Sequence, residues 1–115
     1  MKVTSIKNAE HYNWGDNCDG WHLARSDNLS VIEERVLPGC FEVRHYHQHA
    51  EQFFYVLSGQ ARLEVEGTLY ALHAGEGMHV PAGMKHQLSN QTQEDVRFLV
   101  ISTPPSHGDK ILEDS

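Results

Sequence analysis

The sequence contains little cysteine, little basic charge and no long apolar run. Its two cysteines, Cys18 and Cys40, are too few for a disulfide framework, so we expect two reduced thiols and a cytoplasmic protein. Nine Lys and Arg residues stand against 16 Asp and Glu residues, for a net charge of −7. This balance disfavours binding to nucleic acid or to an anionic membrane surface. A small molecule or another protein is the expected partner.

Other absences concern targeting and chemistry. The longest apolar runs, residues 53–57 and 98–101, are far shorter than a membrane span, and residues 1–8 lack the apolar stretch of a signal peptide. Neither a phosphate-binding glycine loop of the GxxxxGK type nor a Ser or Cys nucleophile in a recognisable setting occurs. At 115 residues the chain has room for one domain.

The sequence does contain short runs of β-branched and aromatic residues, separated by Gly, Pro and Asn, and no helical period of useful length. This pattern predicts an all-β fold: a sandwich, a jelly roll or a small barrel. The predicted strands are residues 29–36, 41–47, 52–57, 61–65, 68–72, 78–81, 85–89 and 96–101.

Three segments are expected along the chain: a barrel over residues 29–103 and a flanking segment on each side. Residues 1–28 mix turn formers with Trp14 and Trp21, which predicts an ordered arm packed on the barrel or in a dimer interface. Residues 104–115 have no periodic apolar pattern and are predicted to be a mobile C-terminal tail.

Histidine is unusually frequent, with nine residues in a short acidic chain. His45 and His47 are two apart in an alternating segment, so both side chains are expected on one strand face, about 7 Å apart. Two imidazoles at that separation can bind one metal ion. An isolated pair of this kind would more simply be two surface residues, so its surroundings decide the interpretation.

Two motifs surround these histidines. Residues 39–59 read G-x5-H-x-H-x4-Q-x6-G, and residues 75–90 read G-x5-P-x-G-x2-H-x3-N. The first closely resembles the first motif of the cupin superfamily, and the second matches that family's second motif at every fixed position. The resemblance implies a double-stranded β-helix, or jelly-roll barrel, with a divalent metal held inside its mouth.

The resemblance also implies the metal ligands. His45, His47 and His86 match the three histidine ligands of cupins, while the fourth position holds Gln52 where cupins usually have Glu. Glu51 would fit a shorter spacing, although strand parity favours Gln52. The choice between Gln52 and Glu51 stays open at this point.

That choice affects the chemistry. Three imidazoles and the Gln52 amide would leave a divalent ion near a charge of +2, which attracts an anionic ligand. The facial triad of iron oxygenases needs a carboxylate, which here only Glu51 could supply. The expected cofactor is one divalent transition metal: Zn, Ni, Fe, Mn or Cu.

Other residues are assigned by position. Strand parity places Phe41, Phe54 and Leu88 on the ligand faces, where they would line an apolar pocket. His49 and Glu51 are candidates for a general base, although His49 falls in a connection between strands. Residues 33–35, with the sequence EER, are most simply a solvated strand face, and His79 is expected to face solvent.

Two functions follow from these expectations. The first is a metal-dependent enzyme, such as a dioxygenase or an isomerase, in which the ion acts as a Lewis acid or activates dioxygen on an oxygen-bearing substrate. The alternative is a non-catalytic, metal-dependent module that binds a small metabolite or a sugar. Turnover of a substrate would distinguish the enzyme from the binding module. Because cupins commonly pair through their sheets, a homodimer is expected in either case.

Overall fold

The computed structural model describes residues 1–106 and 108–112 of the chain, and they contain β-strands and no helix. The strands are β1 (Glu10–Trp14), β2 (Cys18–Arg25), β3 (Ser30–Val36), β4 (His45–His47), β5 (Glu51–Ser58), β6 (Gln60–Val65), β7 (Thr68–His73), β8 (Gly77–Val80), β9 (His86–Ser89), β10 (Val96–Thr103) and β11 (Lys110–Leu112). The described residues therefore include no helix that could span a membrane.

The strands form two antiparallel sheets. One sheet has the order β1-β2-β3-β10-β5-β8 and the other the order β11-β4-β9-β6-β7. Alternate residues of the strands point into the space between the sheets, as in β10, where every second residue from Val96 to Ser102 is buried. The buried apolar residues come from both sheets, among them Phe54, Leu63 and Phe98. The fold is therefore all-β and of the double-stranded β-helix type.

The N-terminal segment is part of the larger sheet. Strand β1 pairs with β2, and β2 pairs with β3. Trp14 packs against the core, and its indole N–H donates to the Asp19 carbonyl at 3.0 Å. The Arg97 guanidinium of β10 lies over the ring of Trp21, 5.3 Å from its centroid. These contacts join the segment to the barrel wall.

The C-terminal segment also contributes a strand. Strand β11 pairs with β4, with Lys110 opposite His47 and Leu112 opposite His45. Part of the predicted tail therefore lies beside the strand that carries two of the candidate ligands. His107 and residues 113–115 of the predicted tail lie outside the described residues.

Two motif positions have clear structural roles. Gly59 has a φ of +80°, and a Cβ there would lie 2.5 Å from the Asp95 carbonyl oxygen, so only glycine fits this turn. Asn90 is buried, and its side-chain N–H groups donate to the carbonyls of Val36 at 2.9 Å and Glu94 at 2.7 Å. Asn90 thus ties the loop after β9 to the end of β3.

Candidate metal centre

His45, His47 and His86 meet between the two sheets. His45 on β4 is directly opposite His86 on β9, and His47 lies on the same face two residues along β4. All three side chains are buried, and one nitrogen from each lies within 4.8 Å of the other two. Imidazole nitrogens this close together can bind one ion, so the residues suit a metal centre.

Backbone hydrogen bonds orient two of the rings. Nδ1 of His45 lies 2.7 Å from the Val43 carbonyl oxygen, and Nδ1 of His86 lies 2.9 Å from that of Met84. Because a carbonyl oxygen only accepts, each Nδ1 carries the proton and each Nε2 keeps its lone pair. Nε2 of His86 is buried with no hydrogen-bond partner among the described residues. A buried acceptor without a partner is the signature expected of a metal ligand.

The histidines are held in the neutral form. Burial, together with the neighbouring His86, lowers the pKa of His45 to about 3 and the pKa of His47 to about 4. Burial also lowers the pKa of His86. Because a metal binds the deprotonated nitrogen, these three residues are ready to bind an ion at neutral pH.

The structure separates Gln52 from Glu51. Burial alternates along β5, so Gln52 is buried and points inward. Its Nε2 donates to the Ser102 hydroxyl at 3.0 Å, while its Oε1 has no hydrogen-bond partner among the described residues. Glu51 points outward, where its carboxylate is 2.7 Å from Nε2 of His79 and both side chains are about half exposed. The amide, rather than the carboxylate, is therefore on the face of the histidines.

A cavity of about 160 Å³ adjoins the centre. Its lining includes His45, His47, Gln52 and Phe54, and the Phe54 ring meets that of His86 at 67°, with centroids 5.7 Å apart. The cavity leaves room for a small ligand beside the imidazoles.

The other predicted site residues lie elsewhere. Leu88 is buried in the core. Phe41 is 62% exposed and lines a neighbouring cavity instead. Strand β4 begins only at His45, so the alternation of its side chains cannot be extended back to Phe41. His49 is exposed in the turn after β4. Neither His49 nor Glu51 is among the described residues that line the cavity.

Several polar residues that line the cavity were not assigned to it from the sequence, among them Tyr12, Glu34 and Glu42. Glu34 was expected on a solvated face, and the structure corrects this, because it lies in phase with Ile32 and buried Val36 on β3 and faces the interior. The two-residue spacing of Ile32, Glu34 and Val36 was the sequence signal that could have placed Glu34 on the inner face. Glu42 precedes β4, so strand alternation could not predict which way its side chain points.

These carboxyl groups have unusual electrostatics. Burial raises the pKa of Glu34 to about 7, and the Tyr12 hydroxyl, which donates to its Oε2 at 2.8 Å, limits the increase. Burial and the nearby charge of Glu34 raise the pKa of Glu42 to about 8. The ammonium of Lys110 opposes both shifts. Near neutral pH the two carboxyls therefore titrate as a coupled pair.

Known proteins resemble this chain in sequence and structure. The cupin domain family model matches residues 32–102. "Polyketide synthase CurC" of Streptomyces cyaneus is 31% identical over 67 residues, which cover 58% of this chain and 44% of the relative. "Oxalate decarboxylase OxdC" of Bacillus subtilis is 30% identical over 84 residues, which cover 69% of this chain and 21% of the relative.

The chain thus spans less than half the length of either relative. Among solved structures, KdgF from Halomonas sp. superposes with a TM-score of 0.84 over 93% of this chain and 98% of that one, at 17% identity. At that identity the likeness shows a shared fold.

Proposed function

Because this chain belongs to the cupin family, we propose that it is a metal-dependent enzyme acting on a small oxygen-bearing molecule. His45, His47 and His86 would hold one divalent transition metal, with Gln52 completing or tuning the site. When bound, the metal supplies a Lewis acid that polarises a carbonyl or carboxylate oxygen.

The observation that carries this proposal is the set of three neutral imidazoles, two of which, His45 and His47, line a cavity. The buried Nε2 of His86 has no partner among the described residues, which supports a role as ligand. The adjoining cavity of about 160 Å³ supports an open coordination position, since a purely structural ion would have a closed set of protein ligands.

The chain's own groups would position the substrate. Ser102 orients the Gln52 amide through the hydrogen bond at 3.0 Å, so that its Oε1 is available to a ligand N–H or O–H group or to the ion. Phe54 provides an apolar wall that excludes water from the reacting oxygen.

The substrate class we propose is a molecule with two oxygens placed to chelate, such as a 1,3-dicarbonyl compound. The neutral donor set supports this, because it leaves the ion near +2 and favours an anionic, bidentate guest. The names of the two sequence relatives, a polyketide synthase and an oxalate decarboxylase, are consistent with carbonyl or carboxylate substrates.

Lewis-acid chemistry is preferred to dioxygen activation for a specific reason. The iron facial triad requires a carboxylate ligand, and Glu51 is paired with His79 on the outer face of β5. The metal's identity, among Zn, Ni, Fe, Mn and Cu, would decide between the two reaction types.

Elemental mass spectrometry of the chain purified without chelator would test the metal assignment. We expect about one transition-metal ion per chain, its loss in His86→Ala, and its retention in the control Glu51→Gln. No bound metal, even after reconstitution, would contradict the proposal.

The second test concerns turnover. Reconstituted protein is incubated with 2,4-pentanedione and with oxalate, and consumption of each compound is followed by NMR. Conversion that is lost in His86→Ala supports an enzyme. Binding that raises the melting temperature without conversion would favour the alternative, a metal-dependent binding module.

We further propose that the protein is a homodimer in a reducing cytoplasm. Cys18 and Cys40 are both free thiols, which is consistent with that compartment. The outer face of β5 carries exposed Phe53, Tyr55 and Leu57, and a second copy covering them would remove this apolar surface from water.

A further inference from the structure

We propose that Glu34 and Glu42, assisted by Tyr12, form the acid–base pair that moves protons on a substrate bound beside the three histidines. This inference rests on the proposed function and deepens it, because it assigns the proton-transfer groups of the same site. Neither His49 nor Glu51, the general-base candidates on sequence grounds, lines the cavity.

The carboxyl pair and two of the histidines line one cavity. Glu34, Glu42 and Tyr12 line the same cavity as His45, His47 and Gln52, so a molecule that fills it would lie beside both the carboxyls and these two imidazoles. All three residues also line a second, neighbouring cavity of about 360 Å³. The carboxyl pair therefore lies where the two spaces meet.

Tyr12 reaches Glu34 across an intervening strand. Tyr12 on β1, Gly20 on β2 and Glu34 on β3 are in register across three strands. The Tyr12 ring occupies the space over Gly20, where a Cβ would collide with it, and its hydroxyl donates to Glu34 Oε2 at 2.8 Å. The missing side chain of Gly20 thus lets a phenol cross one strand and fix a carboxylate on the next.

Three hydrogen bonds to β9 hold Glu42 in place. Its Oε1 accepts from the Leu88 amide at 3.0 Å, its own amide donates to the Leu88 carbonyl at 3.0 Å, and its carbonyl accepts from Gln87 Nε2 at 2.9 Å. Both carboxyls are therefore positioned before any ligand binds, which reduces the entropy cost of a later reaction.

An unsatisfied group in the same cavity points to a ligand. Gln52 is 6% exposed, and its Oε1 has no partner among the described residues. A buried carbonyl oxygen without a donor is costly unless a bound group satisfies it. Because the carboxyl pair lines the same space, a ligand that fills the cavity and donates to Oε1 would lie beside the pair.

The protonation states suit the task. The pKa of Glu34 is raised to about 7 and that of Glu42 to about 8, so near pH 7.5 Glu42 is the protonated member and Glu34 is partly ionised. The charged and titratable groups that line the cavity with them are Tyr12, Lys110 and the histidines of β4. One carboxylate base and one carboxylic acid then share the site.

The proposed step balances without an oxidant. The Glu34 carboxylate takes a proton from the carbon beside a substrate carbonyl. The C–H electron pair becomes the C=C bond of an enolate, and the carbonyl π pair moves to the oxygen. Glu42 then gives its proton to a second position of the substrate, and proton exchange with solvent restores both carboxyls.

A titration of the metal-free protein tests the pair directly. Glutamate is labelled with ¹³C at the side-chain carboxyl carbon, and signals are assigned with Glu34→Gln and Glu42→Gln. We expect two glutamates to titrate near pH 7 to 8, and Glu42 to titrate at a lower pH in Glu34→Gln because the neighbouring charge is gone. Ordinary pKa values near 4 for both residues would overturn the inference.

A second test follows proton transfer in the zinc-loaded protein. The probe is 2,4-pentanedione in D₂O, and NMR measures exchange of its central CH₂ protons. We expect exchange above the solution rate, a decrease of about 100-fold in Glu34→Gln, and a smaller decrease in Tyr12→Phe. The control Glu33→Gln changes the adjacent β3 residue, which pairs with Arg97 on the opposite strand face, and should exchange as wild type does.

The outcomes separate the two proposals. A wild-type chain that binds none of Zn, Ni, Fe, Mn and Cu would overturn both the proposed function and this inference. Zinc-loaded wild type that does not exceed the solution rate, or that is matched by zinc-loaded Glu34→Gln, would overturn only the inference.

Discussion

At the scale of single residues, the site is defined by the placement of charge. Three imidazoles are neutral because burial lowers their pKa values, and the fourth inward group is the Gln52 amide. The two carboxyls of the cavity, Glu34 and Glu42, have raised pKa values. A divalent ion would therefore enter a site with little permanent negative charge.

The Gln52→Glu variant should bind zinc more tightly, by about tenfold or more, because a carboxylate lowers the net charge of the loaded site by one and adds a strong oxygen ligand. Competition with a chromophoric chelator measures this affinity. Glu51→Gln, at the outward neighbouring position, should bind zinc as wild type does. Equal affinities for Gln52→Glu and wild type would place the side chain out of reach of the ion.

The carboxyl pair should make the metal-free protein less stable as pH rises. The pKa values of Glu34 and Glu42 are raised in the folded state, so the folded chain holds more protons than the unfolded chain between about pH 4.5 and 8. Their contribution to stability is present at low pH and is lost as the pH passes through the folded pKa values.

The three histidines act in the opposite direction. Their lowered pKa values mean that stability falls as the pH drops below about 6.5. Between pH 6.5 and 8.5 the carboxyls dominate, so the melting temperature should fall over this range by a few degrees and change less in Glu42→Gln. A melting temperature that rises from pH 6.5 to 8.5 would contradict the raised pKa values.

At the scale of elements, the C-terminal strand supports the turn that follows the ligand strand. The Asp109 carboxylate accepts from three consecutive amides, those of Gln48 at 3.2 Å, His49 at 2.9 Å and Ala50 at 2.9 Å. These bonds join the start of β11 to the turn between β4 and β5. They also lower the pKa of Asp109, because they stabilise its ionised form.

Replacing Asp109 by Ala should loosen this turn and β11 together. We expect faster hydrogen exchange at the amides of residues 48–50 and a loss of about 1 to 2 kcal/mol in the free energy of unfolding, reduced from the sum of three bonds by competition from water. Asp27→Ala, at an exposed position between β2 and β3, is the control. Unchanged exchange at residues 48–50 would show that the turn is stable without Asp109.

At the scale of the whole molecule, the outer face of the larger sheet is apolar around β5. Phe53, Tyr55 and Leu57 are 39%, 36% and 41% exposed, and the Phe53 and Tyr55 rings are stacked with centroids 6.4 Å apart. Three large apolar side chains in one row on the outer face of a sheet suit a partner sheet of the same kind.

Sedimentation velocity should therefore give about twice the 13.1 kDa mass of the chain. Phe53→Lys should shift the protein towards monomer, because it puts a charge in the apolar row. The control is Leu69→Lys, which changes a residue that is 60% exposed on β7 of the other sheet. A monomer at every concentration measured would contradict the proposed homodimer.

Local spacing in the sequence was enough to predict much of this protein. The turn residues and alternating runs predicted the all-β class, because strand alternation is a property of each segment by itself. The two motifs that contain His45, His47 and His86 resemble those of cupins, and that resemblance implied the barrel, while parity along β5 favoured Gln52 over Glu51 for the inward position.

Only the tertiary structure brought Tyr12, Glu34 and Glu42 to the cavity. Each comes from a different part of the chain, and their meeting depends on strand register and on the open space over Gly20. Strand β11 likewise depends on pairing with β4, since three residues carry too short a pattern to be recognised. Pairing between distant segments is decided by the packing of the whole chain, so no local pattern in the sequence specifies it.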